Sequence, residues 1–197
     1  MKRTTILGKT LLALLVVGLS FGTVSCKDEK KPEDPKEVAE DQNEIKFDEN
    51  RDKEKDSEHL VDLASIDMKE VELSKLAQKS ADADIKAFAK MMVDDHTKVY
   101  NELKSLAQRK NITLPTSLPE KGQEAFDDLN KKTGRDFDKK YAEMMVDGHE
   151  KAIDKLEKIA ENGNDQEIRE WASNSLPTFR THLEHAKVLK DKIDAKK

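Results

Sequence analysis

The chain has 197 residues, of which 39% are charged and 5% aromatic; its formal net charge is −5 and it contains one cysteine. An acidic surface of this kind disfavours nucleic acid and anionic lipid headgroups as partners. A lone cysteine excludes an internal disulfide.

The N-terminus begins with Lys2, Arg3 and Lys9, followed by the uncharged run TLLALLVVGLSFG at 10–22. That run is shorter than the roughly 20 apolar residues that cross a bilayer. It has the length and flanks of a secretory signal. The residues that follow, TVSC, end in Cys26. The stretch resembles a bacterial lipoprotein signal, with Thr23 standing where a leucine is usual and Ser25 as the small residue before the cysteine. The resemblance implies that residues 1–25 are removed and that Cys26 becomes the lipid-modified N-terminus; the alternative is an ordinary signal cleaved elsewhere. Loss of Lys2, Arg3 and Lys9 takes the 36 basic residues to 33 against 41 acidic ones, a net charge of about −8. Such a protein is expected to meet the membrane only through its anchor, since each buried CH₂ contributes about 0.8 kcal/mol. The expected location is the cell envelope, as an outer-membrane lipoprotein on the periplasmic side or at the cell surface. KDEKK at 27–31 resembles a surface-export signal of Bacteroidetes-type lipoproteins.

Residues 26–56 are dominated by charge, with two prolines and few apolar side chains. By composition they read as a disordered acidic tether, because little apolar burial is available to offset chain entropy. The remaining segment, 57–197, is long enough for one domain with a core. Its apolar residues recur with a period near 3.6, and no convincing period-2 strand interrupts them.

Four amphipathic helices follow in order. The first runs from about Ser57 to Lys79, with a seam of Leu60, Leu63, Ile66, Glu70, Leu73 and Ala77. The second starts near Ala83 and carries Ile85, Phe88, Met92, His96, Val99, Leu103 and Leu106; it ends before NITLPTSLP, where two prolines break the pattern. A short amphipathic piece at 120–132 lies in the connection. The third starts near Gly134, with Phe137, Tyr141, Met145, His149, Ala152, Leu156 and Ala160 on one face. NGND at 162–165 marks a turn. The fourth carries Ile168, Ala172, Ser175, Phe179, His182, Ala186, Leu189 and Ile193, with Pro177 expected to kink it.

Two internal echoes organise these helices. LAQKSADADIKAFA (76–89) and IAENGNDQEIREWA (159–172) align without gaps as helix end, turn and helix start. They predict two antiparallel hairpins joined by a connection long enough to recross the bundle, the ferritin-like form of the four-helix bundle. The fold class expected is therefore all-α. The second echo, MMVDDH (91–96) and MMVDGH (144–149), links the second helix to the third, so the hairpin duplication does not explain it.

Each seam holds a titratable residue where an apolar one is expected: Glu70, His96, His149 and His182. Burying such groups without partners costs roughly 1–3 kcal/mol each. With both turns at one end, His96 and His149 lie level, about 20 Å from their turns at 1.5 Å per residue, with Glu70 and His182 about a turn to either side. Asp67 matches His96 in depth. Imidazoles and a carboxylate converging in a bundle suit a transition metal such as Fe, Zn or Cu. Met92 with His96 and Met145 with His149 are i,i+4 pairs, which adds thioether ligands if the metal is copper. The alternative is a structural or interaction module whose seam histidines are satisfied inside the core. No role is assigned to His59 or His185. No nucleophile–base pair, phosphate loop or dinucleotide motif occurs, so no catalytic residue is assigned.

The segments EVELSKLA (70–77), FAKMMVDDHTK (88–98), NELKSLA (101–107), FDKKYAEMMVDGHEKAI (137–153) and LPTFRTHLEHAKVL (176–189) resemble a bacterial envelope family. It comprises predicted outer-membrane proteins with a ferritin-like domain, domain of unknown function 4142. The resemblance covers roughly 57–195 and implies a ferritin-like bundle; it supplies no reaction. Ferritin-like di-iron proteins carry Glu-x-x-His on two helices, whereas Val93, Val146 and Phe179 stand three residues before the histidines here. A mononuclear or lost site fits better than di-iron chemistry, and a redox enzyme on a degenerate di-iron scaffold is the weaker alternative.

Overall fold

Two aspartates in equivalent places start two of the long helices. Asp82 accepts hydrogen bonds from the Asp84 and Ile85 amides, and Asp165 from those of Glu167 and Ile168. Each satisfies amide groups that a helix N-terminus leaves without partners. The 76–89 and 159–172 echo is thus a repeated turn-and-cap unit. The computed structural model describes residues 33–195; the signal sequence, Cys26 and the first part of the expected tether lie outside them.

Among the described residues six helices occur in chain order: α1 (Pro35–Phe47), α2 (Arg51–Ala77), α3 (Ala83–Arg109), α4 (Glu120–Asn130), α5 (Gly134–Asn162) and α6 (Gln166–Ala195). No strand occurs among the described residues, so the chain is all-α. α2 packs against α3 and α5 against α6, and the two hairpins join through α2 on α5 and α3 on α6. α6 runs through Pro177 as one helix, so the expected kink does not divide it.

The two hairpin turns lie at opposite ends, which corrects the expectation of both at one end. At the α2–α3 turn, Ser80 donates to Asp138 near the start of α5 (2.6 Å), and Lys192 near the end of α6 pairs with Asp84 (3.2 Å). At the α5–α6 turn, Asp165 pairs with Lys110 just beyond α3 (2.6 Å), and buried Asp56 of α2 accepts from the Asn164 and Asp165 amides. The segment after α3 therefore travels from one end to the other, carrying α4, which packs on α2 and α5. The histidines still meet because each lies near the middle of a long helix, where depth is insensitive to which end the turn occupies.

The expected tether needs a larger correction. Residues 35–47 form α1, and α2 begins at Arg51 rather than near Ser57, capped by Asn50. Composition misleads here because α1's few anchoring residues share one face at four-residue spacing. Ala39, Asn43 and Phe47 are all buried, while Ile45 is 77% exposed. Asn43 exchanges two hydrogen bonds with the Thr113 backbone (2.8 and 2.7 Å), and Phe47 joins a core cluster containing Ile112. Asp34 caps α1 and also accepts from the Glu120 amide at the start of α4 (2.7 Å). The connection between hairpins supplies the partners that the segment lacks in its own sequence.

The core consists of two apolar blocks. One, at the α5–α6 turn, includes Leu60, Leu63, Leu103, Leu106, Leu156, Ile159 and Phe179. The other, at the α2–α3 turn, includes Leu73, Ile85, Phe88, Met92, Tyr141, Met145 and Leu189. Between them lies a polar layer of Asp67, Glu70, His96, His149 and His182, none more than 2% exposed.

Candidate metal centre

His96 on α3, His149 on α5 and His182 on α6 form a triangle of rings with centroids 5.2, 5.3 and 5.6 Å apart. His96 Nε2 lies 3.3 Å from His149 Nε2 and 3.3 Å from His182 Nδ1. Phe179, one turn from His182 on α6, packs its ring against those of His96 and His149 at 5.0 and 5.7 Å.

The outer nitrogen of each ring has an oxygen partner. His96 Nδ1 faces Asp67 Oδ1 at 2.8 Å, His149 Nδ1 faces the Met145 carbonyl at 2.8 Å, and His182 Nε2 faces Asp95 Oδ2 at 2.9 Å. A carbonyl or carboxylate oxygen only accepts, so these nitrogens carry the protons. In the neutral rings the inner nitrogens, His96 Nε2, His149 Nε2 and His182 Nδ1, are then left with lone pairs facing one another. Metal-binding histidines are commonly oriented in this way, the other ring N–H donating to a carboxylate or carbonyl. An ion bound at about 2.0–2.1 Å in a tetrahedral shell holds its imidazole nitrogens roughly 3.3 Å apart. One nitrogen from each ring lies within 4.8 Å of the others. The donor set fits a borderline transition metal.

Burial, and then the charge on His96, push His149 down to about 3, against the pull of the Met145 carbonyl. The same two causes push His182 down to about 4, against the pull of Asp95. Burial works against a charge on His96 too, but the Glu70 and Asp67 carboxylates outweigh it and raise that residue. Burial pushes both carboxyls upward. Two rings are therefore neutral near pH 7, the form that binds metal, while the neighbouring carboxylates favour the protonated form of His96.

Glu70, expected as a fourth ligand, lies on the Nδ1 side of His96 and His149, and with Asp67 and His96 it forms a second group whose ligand atoms lie within 4.8 Å of one another. Its oxygens lie 3.3 Å from His96 Nδ1 and 3.5 Å from His149 Nδ1, the outer edges of both. Neither contact has hydrogen-bond geometry, and both Glu70 oxygens and Asp67 Oδ2 lack a hydrogen-bond partner. The acidic pair thus stands beside the imidazoles of His96 and His149. Met92 and Met145 are fully buried in the block on the α2–α3 side. The Met145 thioether accepts from Ser74 Oγ at 3.9 Å, and Ser74 in turn bonds Tyr141 at 2.8 Å.

The repeated MMVD(D/G)H phrase differs at its fifth letter, and both versions serve the centre. Asp95 holds the His182 ring. Gly148, its counterpart on α5, leaves space that a Cβ would take from the Glu70 carboxylate. Neither role emerges from reading helix seams, because Asp95 lies off the apolar face and a glycine has no side chain to follow. The available signal was the glycine itself, since one inside a helix costs about 1 kcal/mol relative to alanine.

The fold and the buried cluster define an all-helical bundle protein with a polar centre composed like a metal site. The chain belongs to the family described as Domain of unknown function (DUF4142), whose signature matches residues 45–189. The crystal structure of a conserved hypothetical protein, rv2844, from Mycobacterium tuberculosis is similar in fold. The TM-score is 0.54 at 12% identity, covering 68% of this chain and 96% of that one. No curated protein matches the chain.

Proposed function

We propose that the protein is a metal-binding, ferritin-like four-helix bundle held to the bacterial envelope by a lipid on Cys26, with His96, His149 and His182 as ligands to one transition-metal ion. The observation that carries the metal reading is the orientation of the three rings, each fixed by an oxygen at its outer nitrogen. The Asp67 and Glu70 carboxyl groups stand beside the rings, where they can offset the ion's charge. A bound ion adds Lewis acidity or redox capacity at a position shielded by Phe179; the protein's own part is to bind and to exclude water. Zinc, iron and copper all accept imidazole. No reaction is assigned. The two hairpins with one long crossover favour the ferritin-like arrangement, and the lipoprotein-like sequence through Cys26 favours the anchor.

The test is metal analysis of protein purified without chelator, beside His96→Ala and His149→Ala. One ion per chain, lost in both variants, is expected. Trace metal that the variants leave unchanged removes the reading. Mass spectrometry of the mature N-terminus tests the anchor separately: a diacyl or triacyl mass on Cys26 is expected, and an unmodified cysteine overturns it.

A second reading, a structural module without metal, is favoured by the same 3.3 Å separations. A proton on His96 Nε2 can be shared between the other two rings and hold the helices in register. It predicts that His149→Leu melts at or above the parent temperature, as apolar replacement of buried polar groups often does, and that chelator leaves parent melting unchanged.

A further inference from the structure

Among the described residues, the hydrogen-bond, ion-pair and ring partners of the three imidazoles are buried with one exception. Asp67 and Glu70 are at most 2% exposed, and Met145 is fully buried. The exception is Asp95, whose side chain is 45% exposed while its Oδ2 lies 2.9 Å from His182 Nε2. The centre's hydrogen-bonded link to solvent therefore runs through one surface carboxylate and one imidazole, across the seam between α3 and α6.

That seam is open on both sides of the link. A groove of about 730 Å³ borders it on one side, with Asp94, Thr97, Trp171 and Asn174 in its wall. A second, of about 300 Å³, borders it on the other, with Met91, His185 and Val188. Along α6, His182 falls between Asn174 of the first groove and His185 of the second, and neither the Asp95 nor the His182 side chain lines either one. α6 also has a weak point nearby, since Pro177 removes a backbone donor from the helical ladder less than two turns before His182.

Resting on the metal reading above, we propose that a divalent cation reaches the three imidazoles through the α3–α6 seam, and that Asp95 captures it at the surface and passes it inward beside His182. A carboxylate in this place does two things. Its charge draws cations to the seam, an effect that raises on-rates by 10-fold or more and weakens with salt. Its hydrogen bond keeps the His182 ring across the opening; when the carboxylate turns to a cation, the ring is released and the passage widens. A group that stabilises the passage speeds travel both ways, whereas a group that only orients a bound ligand retards release and leaves uptake alone.

Stopped-flow uptake of Co²⁺ by the metal-free protein, and its release to excess chelator, separate these roles. Asp95→Asn keeps an acceptor for the His182 ring but removes the charge. Uptake and release are both expected to slow by about 10-fold, with uptake losing most of its dependence on ionic strength, and Asp95→Glu is expected to restore both rates. Asp147→Asn removes the same charge from an exposed position on α5 away from the seam, and is expected to match the parent. Unchanged uptake with faster release in Asp95→Asn overturns the proposal and leaves Asp95 as an orienting residue. Equal slowing in Asp147→Asn also overturns it, by making the effect one of net charge. If the parent takes up no Co²⁺, the metal reading itself fails; if parent and Asp95→Asn load at the same rate, only the route fails.

Discussion

The helices α3 and α5 carry the same six letters, MMVD(D/G)H, through the middle of the bundle, yet the two copies have different surroundings. His96 sits against two buried carboxylates, which favour its protonated form; His149 rests on a backbone carbonyl and stays neutral. Asp95 reaches across to a third helix, while Gly148 withdraws to admit Glu70 from a fourth. Met92 lies in the apolar block without a polar contact of its own, whereas Met145 is bonded by Ser74. A repeated sequence therefore supplies repeated helix geometry, and neighbours from other helices decide what each copy does.

Changing the letters one pair at a time breaks or sharpens this contrast. The sixth letter has the largest effect. In metal-free buffer, His96→Ala leaves Asp67 and Glu70 buried without their imidazole partner and is expected to cost about 3–5 kcal/mol, the cost of removing one partner of a buried pair. His149→Ala leaves only a carbonyl and a cavity, so its loss by chemical denaturation should be clearly smaller. Equal losses would mean that the asymmetry has no energetic weight. The fifth letter comes next. Gly148→Ala should destabilise by about 1–3 kcal/mol through overpacking, although alanine is the better helix former by about 1 kcal/mol. A second change, Glu70→Ala, is expected to abolish that penalty, and a double-mutant cycle with no coupling would contradict the contact.

The second letter is milder. Met92→Leu and Met145→Leu conserve volume and should each cost less than about 1.5 kcal/mol, Met145→Leu the more because Ser74 loses its sulfur acceptor. Metal content should be unaffected in both; a loss of bound copper in either would return the thioethers to the ligand set. The fourth letter is the smallest. Asp94 and Asp147 are exposed and pair with Lys90 and Lys151 in their own helices. Either change to Asn should scarcely move the melting temperature, as is usual for exposed pairs.

Much of this was legible in the residues. The periodicity of α2, α3, α5 and α6 located the helices, the 76–89 and 159–172 echo located both turns, and three seam histidines at interior positions pointed to a shared centre. Their approach survived a wrong assumption about the turns only because all three lie near mid-helix. α1 was not legible, since its anchoring depends on Thr113 and Ile112, about 70 residues away along the chain. Seam membership brings Glu70 to the centre but does not give which edge of a ring it meets, because spacing along one helix sets only the direction of a side chain. Asp95 escaped because a seam search looks only at the buried face.

By itself the sequence determined the four long helices and the polar groups that interrupt their seams, because both follow from local spacing and from the cost of interrupting an apolar stripe. Tertiary structure alone decided which nitrogen of each ring faces inward, which carboxylate lies behind, and where the centre meets water. Those are relations between helices, and a hydrogen bond of about 3 Å across a bundle has no counterpart in the order of residues along any one of them.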